Sequence, residues 1–251
     1  MIDLHSLILP GLDDGARTIE DSLVLAQDAI ADGVEAIAAT PHVRADYPTT
    51  ADAMEEALGR VRSELAARGL PLDVVAGGEI DLAHLSLLSD EDLRRFSYGG
   101  LGRHLLLEFP ESGWSLAIDS ALAGVRTARM TPVLAHPERN RRVQEQPARL
   151  EALVERGALV QITAGSLEGR LGRRAQAAAH ELVRRGLVHL LASDAHGPHI
   201  RQAGLAAAAA LLGDDRVATQ LTSDGPAAIL AGEDPPPARP APGRRSRWFG
   251  R

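Results

Sequence analysis

Short apolar runs alternate with amphipathic stretches along most of the chain. Between residues 18 and 32 the apolar positions Ile19, Leu23, Ala26, Ala29 and Ile30 recur at helical spacing, with Thr18 placed to cap the start and Gly33 to stop the end. Comparable patterns predict helices over about 51–68, 115–130, 147–156, 172–185 and 200–212, with more helix between 214 and 230. Ser89-Asp90-Glu91-Asp92 reads as the start of a further short helix in an otherwise irregular stretch. Between these lie compact apolar runs that read as strands: the N-terminal stretch around Ile2–His5, then 34–39, 72–76, 104–109, 131–135, 159–163 and 187–192.

Strands that alternate with helices pair in parallel through right-handed crossovers. About seven such units in a chain of 251 residues fit a β/α barrel better than an open sheet. In barrels the chemistry sits at the C-terminal ends of the strands. From Glu233 the pattern stops and Pro235-Pro236-Pro237, Pro240, Pro242 and Arg244-Arg245-Ser246-Arg247-Trp248 follow. The expected organisation is therefore one domain over 1–232 and a Pro/Arg-rich disordered tail over 233–251.

The strand ends carry the chemistry. His5 closes the first run and leads into Leu9-Pro10-Gly11-Leu12-Asp13-Asp14-Gly15. The second run ends in Thr40-Pro41-His42, the third in Gly77-Gly78-Glu79, and the fourth carries Glu108 before Pro110. The fifth runs into His136-Pro137-Glu138-Arg139-Asn140 and the last into Ser193-Asp194-Ala195-His196. His5, His42, Glu79, Glu108, His136, Asp194 and His196 would thus meet at one mouth. That is more oxygen and nitrogen ligands than one ion takes, so two or three ions sharing carboxylates are expected, a design suited to phosphoester hydrolysis.

Composition narrows the choice. With no cysteine, thiolate zinc sites, disulfides and a cysteine nucleophile are excluded, and the mixed imidazole and carboxylate set suits manganese, iron or zinc. A net charge of −7 argues against a nucleic-acid-coating surface. No apolar run reaches the roughly 20 residues of a membrane span, and no basic segment leads into an apolar signal core. A cytoplasmic protein is expected. His84, His104, His180 and His189 read as structural or solvated, and the run Ala206–Ala210 as packed helix.

In order and spacing, His5-Ser6, Thr40-Pro41-His42, Gly78-Glu79, Leu107-Glu108, Ala135-His136-Pro137-Glu138-Arg139 and Ser193-Asp194-Ala195-His196 resemble the polymerase-and-histidinol-phosphatase (PHP) superfamily of metal phosphoesterases. Ile2-Asp3-Leu4-His5-Ser6, the Pro10–Gly15 turn and His136–Asn140 more closely resemble the bacterial manganese-dependent protein-tyrosine phosphatases of capsule and exopolysaccharide loci. The resemblance covers about 1–232 and implies a distorted (β/α)7 TIM-like barrel of PHP type holding three ions. It places His5, Glu79 and Asp194 on the first ion, Glu79, Glu108 and His136 on the second, and Asp14, His42 and His196 on the third, with Asp13 as an alternative to Asp14. Arg139 and Arg201 match phosphate-gripping positions, and Asp194 or His196 would protonate the leaving group. The implied reaction is attack of a metal-activated hydroxide on phosphotyrosine, the implied partner the tyrosine-rich tail of a bacterial tyrosine kinase. An oligomer is compatible with this picture.

One position departs from that pattern. The family signature is His-x-His, whereas this chain has His5-Ser6-Leu7. Residues two apart on a strand share a face, so Leu7 is expected to face the site without offering it a ligand. Two other readings follow: a small-molecule phosphoesterase such as a histidinol phosphatase, and a metal-poor, weakly active binder of a phosphorylated partner.

Overall fold

A computed structural model describes residues 1–114, 116–197 and 204–241, without the side chains of 116 and 117. The architecture is mixed α/β around parallel strands. In chain order these are β1 (Ile2–Ser6), β2 (Ala36–Ala39), β3 (His42–Arg44), β4 (Tyr47–Pro48), β5 (Asp73–Ala76), β6 (Glu79–Asp81), β7 (His104–Glu108), β8 (Thr131–Ala135), β9 (Leu159–Thr163) and β10 (Leu190–Ala192). They form a three-stranded sheet, β1-β2-β5, and a seven-stranded sheet, β10-β9-β8-β7-β6-β3-β4. Pairing is parallel except for β3 with β4, a small antiparallel hairpin. The pairing therefore draws two sheets rather than the single seven-stranded ring expected from the sequence.

Of the three extra strands, β4 is the second arm of the hairpin, and β3 and β6 arise at two interruptions. Thr40-Pro41 separates β2 from β3, and Gly77-Gly78 separates β5 from β6, so each apolar run continues in a second short strand. Proline cannot donate to a ladder, which accounts for the first break. At the second, a Cβ on Gly78 would lie 2.6 Å from Phe96 Cδ1, so only glycine lets the chain pass that ring before Glu79. His42 and Glu79 thus open strands instead of closing them.

Helices cover the outer faces. Thr18 caps the helix Ile19–Ala31 through a capping box with Asp21, and Ser89 does the same for Asp90–Phe96. The expected helix at 147–156 is a 3-10 turn, Pro147–Leu150, followed by Glu151–Glu155. Within the expected helix at 200–212, the described part is helical over Ala206–Ala210.

Both faces of the strands are buried, which accounts for their near-continuous apolar runs. One face, with Ile37, Leu105, Leu107, Leu134, Val160, Ile162 and Leu191, packs with the helices in the large core. The other carries a smaller cluster including Leu4, Leu106, Val133, Ala135, Leu159 and Leu190. Residues two apart share a face, so following that smaller cluster along β7 and β9 leads to Glu108 and Gln161. The inner face therefore changes from apolar to polar toward the C-terminal ends of the strands.

The described part of the expected tail is not free of the body. Gln220 Nε2 donates to the carbonyls of Pro236 at 3.2 Å and Pro237 at 2.7 Å, and Ala241 N donates to Val183 O at 3.2 Å. Its proline-rich composition suggested disorder, but prolines keep their carbonyl acceptors, and Gln220 uses two of them.

Candidate metal centre

Glu79 is fully buried at the middle of the inner face. Three imidazoles surround its carboxylate: His136 Nε2 lies 2.8 Å from Oε1, and His42 Nδ1 and His5 Nε2 lie 3.0 and 3.2 Å from Oε2. Burial works to raise its pKa, but His5, His136 and His42 outweigh that and hold the carboxyl well below its ordinary range. The same contact acts on His5. Burial opposes its protonation, yet Glu79 and Asp194 raise it to about 9. His136 goes the other way, to about 4, through burial and then the Arg139 charge. Its ring is therefore neutral near pH 7, as a metal-ligating imidazole must be.

His5, Glu79 and His136 bring one ligand atom each within 4.8 Å of one another, and so do Asp14, His42 and His196. The Glu79–His42 contact joins these two groups. Asp194 Oδ1 lies 3.4 Å from His5 Nε2 and 3.5 Å from His196 Nδ1, between the groups. Glu108 approaches His42, with Oε2 3.8 Å from Nδ1, rather than His136, with which the family resemblance grouped it. Asp13 is occupied by backbone: its carboxylate accepts from Gly15 N and His42 N, both at 2.9 Å. That leaves Asp14 as the aspartate facing His42 and His196.

The backbone supports this geometry. Among the described residues, the non-glycine positions with positive φ are Arg129, His136 at +39° and Asp194 at +53°. Two candidate ligands thus sit in a left-handed conformation that disfavours ordinary side chains, a form of strain typical of functional sites. A register shift in β1 between Asp3 and Ser6 re-aims the chain around His5.

Leu7 is fully buried yet belongs to neither apolar cluster. Its N donates to Ala195 O at 2.8 Å and its O accepts from Ala16 N at 3.0 Å. It lies between the segments that carry Asp14 and Asp194. A Cβ on Gly15 would lie 2.4 Å from Leu7 Cβ, so the turn closes directly over it.

Arg139 Nη2 donates to Asp194 Oδ2 and, at 2.8 Å, to Thr163 Oγ1. Its buried Nε has no hydrogen-bond partner among the described residues, which leaves a donor for an anion. Arg201 lies outside the described residues.

Four contributors were not legible in the sequence. Gln161 Oε1 lies 3.1 Å from His5 Nδ1. Asp3 Oδ1 accepts from Ser193 N at 3.0 Å and His5 N at 3.2 Å. Arg44 Nη1 donates to Glu108 Oε1 at 2.9 Å, and Tyr47 stacks on His42 with ring centroids 5.9 Å apart. Polar residues inside apolar runs, as in Leu159-Val160-Gln161-Ile162-Thr163, were the available signal for the first two.

A divalent cation fits this donor set. It is wholly nitrogen and oxygen, and Glu108 Oε2 and His42 Nδ1 are buried without an aligned hydrogen-bond partner among the described residues.

Comparison with known proteins agrees in sequence and in fold. The family described as "Capsular polysaccharide synthesis, CpsB/CapC" matches residues 1–231. The chain belongs to the CpsB/CapC family. One CpsB/CapC relative, tyrosine-protein phosphatase YwqE of Bacillus subtilis, is 38% identical over 210 residues, 80% of this chain and 79% of its own. Tyrosine-protein phosphatase CpsB of Streptococcus agalactiae is 31% identical over 215 residues, 83% of this chain and 88% of its own. A solved CpsB/CapC structure, from work on YwqE of B. subtilis and CpsB of Streptococcus pneumoniae described as unique metal-dependent tyrosine phosphatases, superposes with a TM-score of 0.83. It is 32% identical and covers 97% of this chain and all of its own. A Listeria monocytogenes lactonase, 14% identical with a TM-score of 0.51 over 93% of this chain and 92% of its own, shares the fold alone.

Proposed function

We propose that this CpsB/CapC chain is a metal-dependent protein-tyrosine phosphatase acting on the phosphotyrosine tail of a bacterial kinase that controls capsule or exopolysaccharide synthesis. The observation that carries this is the 3.0 Å contact between His42 and Glu79, which makes one cluster of two three-residue ligand groups. His5, Glu79, His136 and Asp194, with Glu108 and with Asp14, His42 and His196, hold two or three divalent ions, manganese first, with iron or zinc as substitutes. Such ions supply Lewis-acid charge and lower the pKa of water toward about 7, so no side-chain nucleophile is needed. The absence of cysteine accords with that.

The chain's own groups do the rest. The Arg139 guanidinium binds the phosphoryl oxygens by paired, charge-assisted hydrogen bonds, joined by Arg201. Asp194 or His196 gives a proton to the departing oxygen, a minor contribution because a tyrosine phenol has a pKa of only about 10. Leu7 N→Ala195 O and Asp194 N→His5 O, both backbone bonds at 2.8–2.9 Å, run between β1 and the segment after β10. They support closure of the two sheets into one distorted seven-stranded barrel with the cluster at its mouth. Among the described residues no helix is long and apolar enough to cross a membrane, in keeping with action in the cytoplasm.

Steady-state kinetics with a phosphotyrosine peptide and with histidinol phosphate, after chelation and re-addition of manganese, iron or zinc singly, test this proposal. Metal-dependent turnover of the peptide is expected. A strong preference for histidinol phosphate, or full activity in chelator, overturns it.

A further inference from the structure

Gln161 stands fully buried on β9, in the middle of an apolar run. Its Oε1 lies 3.1 Å from His5 Nδ1 and accepts from His136 N at 3.2 Å, an N–H shared with the Gln161 carbonyl at 2.9 Å. A backbone N–H is always a donor, whereas a glutamine amide could present either oxygen or nitrogen. The His136 N–H therefore settles the amide: turned over, the Nε2 group would set donor against donor. With Oε1 fixed, His5 Nδ1 must carry a proton.

The consequence falls on the other ring nitrogen. His5 Nε2 faces Glu79 Oε2 at 3.2 Å and Asp194 Oδ1 at 3.4 Å. We propose that Gln161 is a positioning residue that keeps a proton on His5 Nδ1, so that Nε2 is the nitrogen His5 presents to a metal in the His5–Glu79–His136 group, and that it ties the His136 backbone to the same oxygen. The proposal rests on the reading of His5 and His136 as metal ligands. A hydrogen bond from the distal ring nitrogen orients a metal-binding imidazole and makes it more basic.

A further observation argues that this amide is kept for its oxygen. Gln161 Nε2 is buried without a hydrogen-bond partner among the described residues. Leaving such a donor unsatisfied is costly, and an apolar residue at this strand position would avoid the cost. The fold retains the glutamine where packing alone would favour leucine.

Zinc serves as a diamagnetic probe. Its affinity is measured by chelator competition for the wild-type chain, Gln161→Leu and Gln161→Glu, and nitrogen-15 NMR of the histidine rings locates the His5 proton in each zinc-loaded protein. The wild type is expected to carry that proton on Nδ1. Gln161→Leu should bind zinc on the order of 10–100-fold more weakly. Gln161→Glu, whose carboxylate accepts the same two hydrogen bonds, should restore both affinity and the Nδ1 proton, a rescue that a purely space-filling role would not give. Unchanged affinity in Gln161→Leu, or a wild-type His5 proton on Nε2, overturns the proposal and leaves the metal reading standing. Failure of the wild type to bind zinc, manganese or iron overturns both. If Gln161→Leu does not fold, the proton position in the wild type and in Gln161→Glu still decides.

Discussion

His42 and Glu79 are register partners on the parallel strands β3 and β6, and His42 Nδ1 stands 3.0 Å from Glu79 Oε2. Side chains of directly neighbouring residues in a sheet project from the same face. This pairing lets one fully buried carboxylate serve both ligand groups.

Glu79→Gln should therefore disable both groups at once. The three imidazoles would lose their common counter-charge, and metal content should fall along with a drop in kcat/KM on the order of 10³-fold. Elemental analysis beside kinetics on a phosphotyrosine peptide checks this. Retention of full metal content with normal activity would remove Glu79 from the centre of the site.

Arg44 braces Glu108 from the β3–β4 hairpin, and its guanidinium lies 5.1 Å from the Tyr47 ring centroid. Arg44→Ala frees Glu108 Oε1 and should weaken metal binding by about 10-fold, within the usual range for an outer partner of a ligand. Manganese titrations of the two proteins compare the affinities directly. Arg44→Lys should recover part of the effect, since it keeps the charge but not the planar fork.

Leu7→His should introduce a nitrogen between the segments carrying Asp14 and Asp194. Metal content at saturation, or affinity at fixed content, should rise, and p-nitrophenyl phosphate hydrolysis with it. Equal values for the two proteins would mean that Leu7 does not impair the site.

His104 gives the metal-free protein a pH dependence unconnected with catalysis. It is buried, its ring nitrogens have no hydrogen-bond partner among the described residues, and burial lowers its pKa from 6.5 to about 4. Between those values the unfolded chain binds a proton that the folded chain refuses, so stability falls as pH drops through the window. The contribution is about 3 kcal/mol, at 1.36 kcal/mol per pKa unit. His189, also lowered to about 4, adds in the same direction, whereas Asp3, raised to about 6 by burial, works against both as pH falls below 6. Thermal melts of His104→Leu across pH 4–7 should show a shallower fall in Tm than the wild type. An unchanged slope would assign the effect elsewhere.

The alternation of strands and helices was legible because apolar runs of four to six residues and helical stripes differ in period. The candidate ligands were legible because each stands beside a proline, glycine or strand end. The short strands β3, β4 and β6 were not, since runs of two or three residues after Pro41 or Gly78 carry no readable period. Gln161 and Asp3 were missed for a different reason. Their roles depend on what two distant backbone N–H groups need, at His136 and at Ser193, and no local spacing encodes that. The Gln220 amide likewise holds Pro236 and Pro237 where composition alone suggested a loose tail.

The left-handed backbone at His136 and Asp194 sets stability against activity in any laboratory evolution of this chain. Glycine would relieve a conformational cost of about 1–3 kcal/mol at either position. Because Asp194 is the carboxylate partner of the buried Arg139 guanidinium, a library screened for heat resistance alone should enrich Asp194→Gly only together with loss of the Arg139 charge, selecting sturdier proteins that have discarded the metal centre. Screens meant to harden this fold must retain a turnover or metal-binding step in every round.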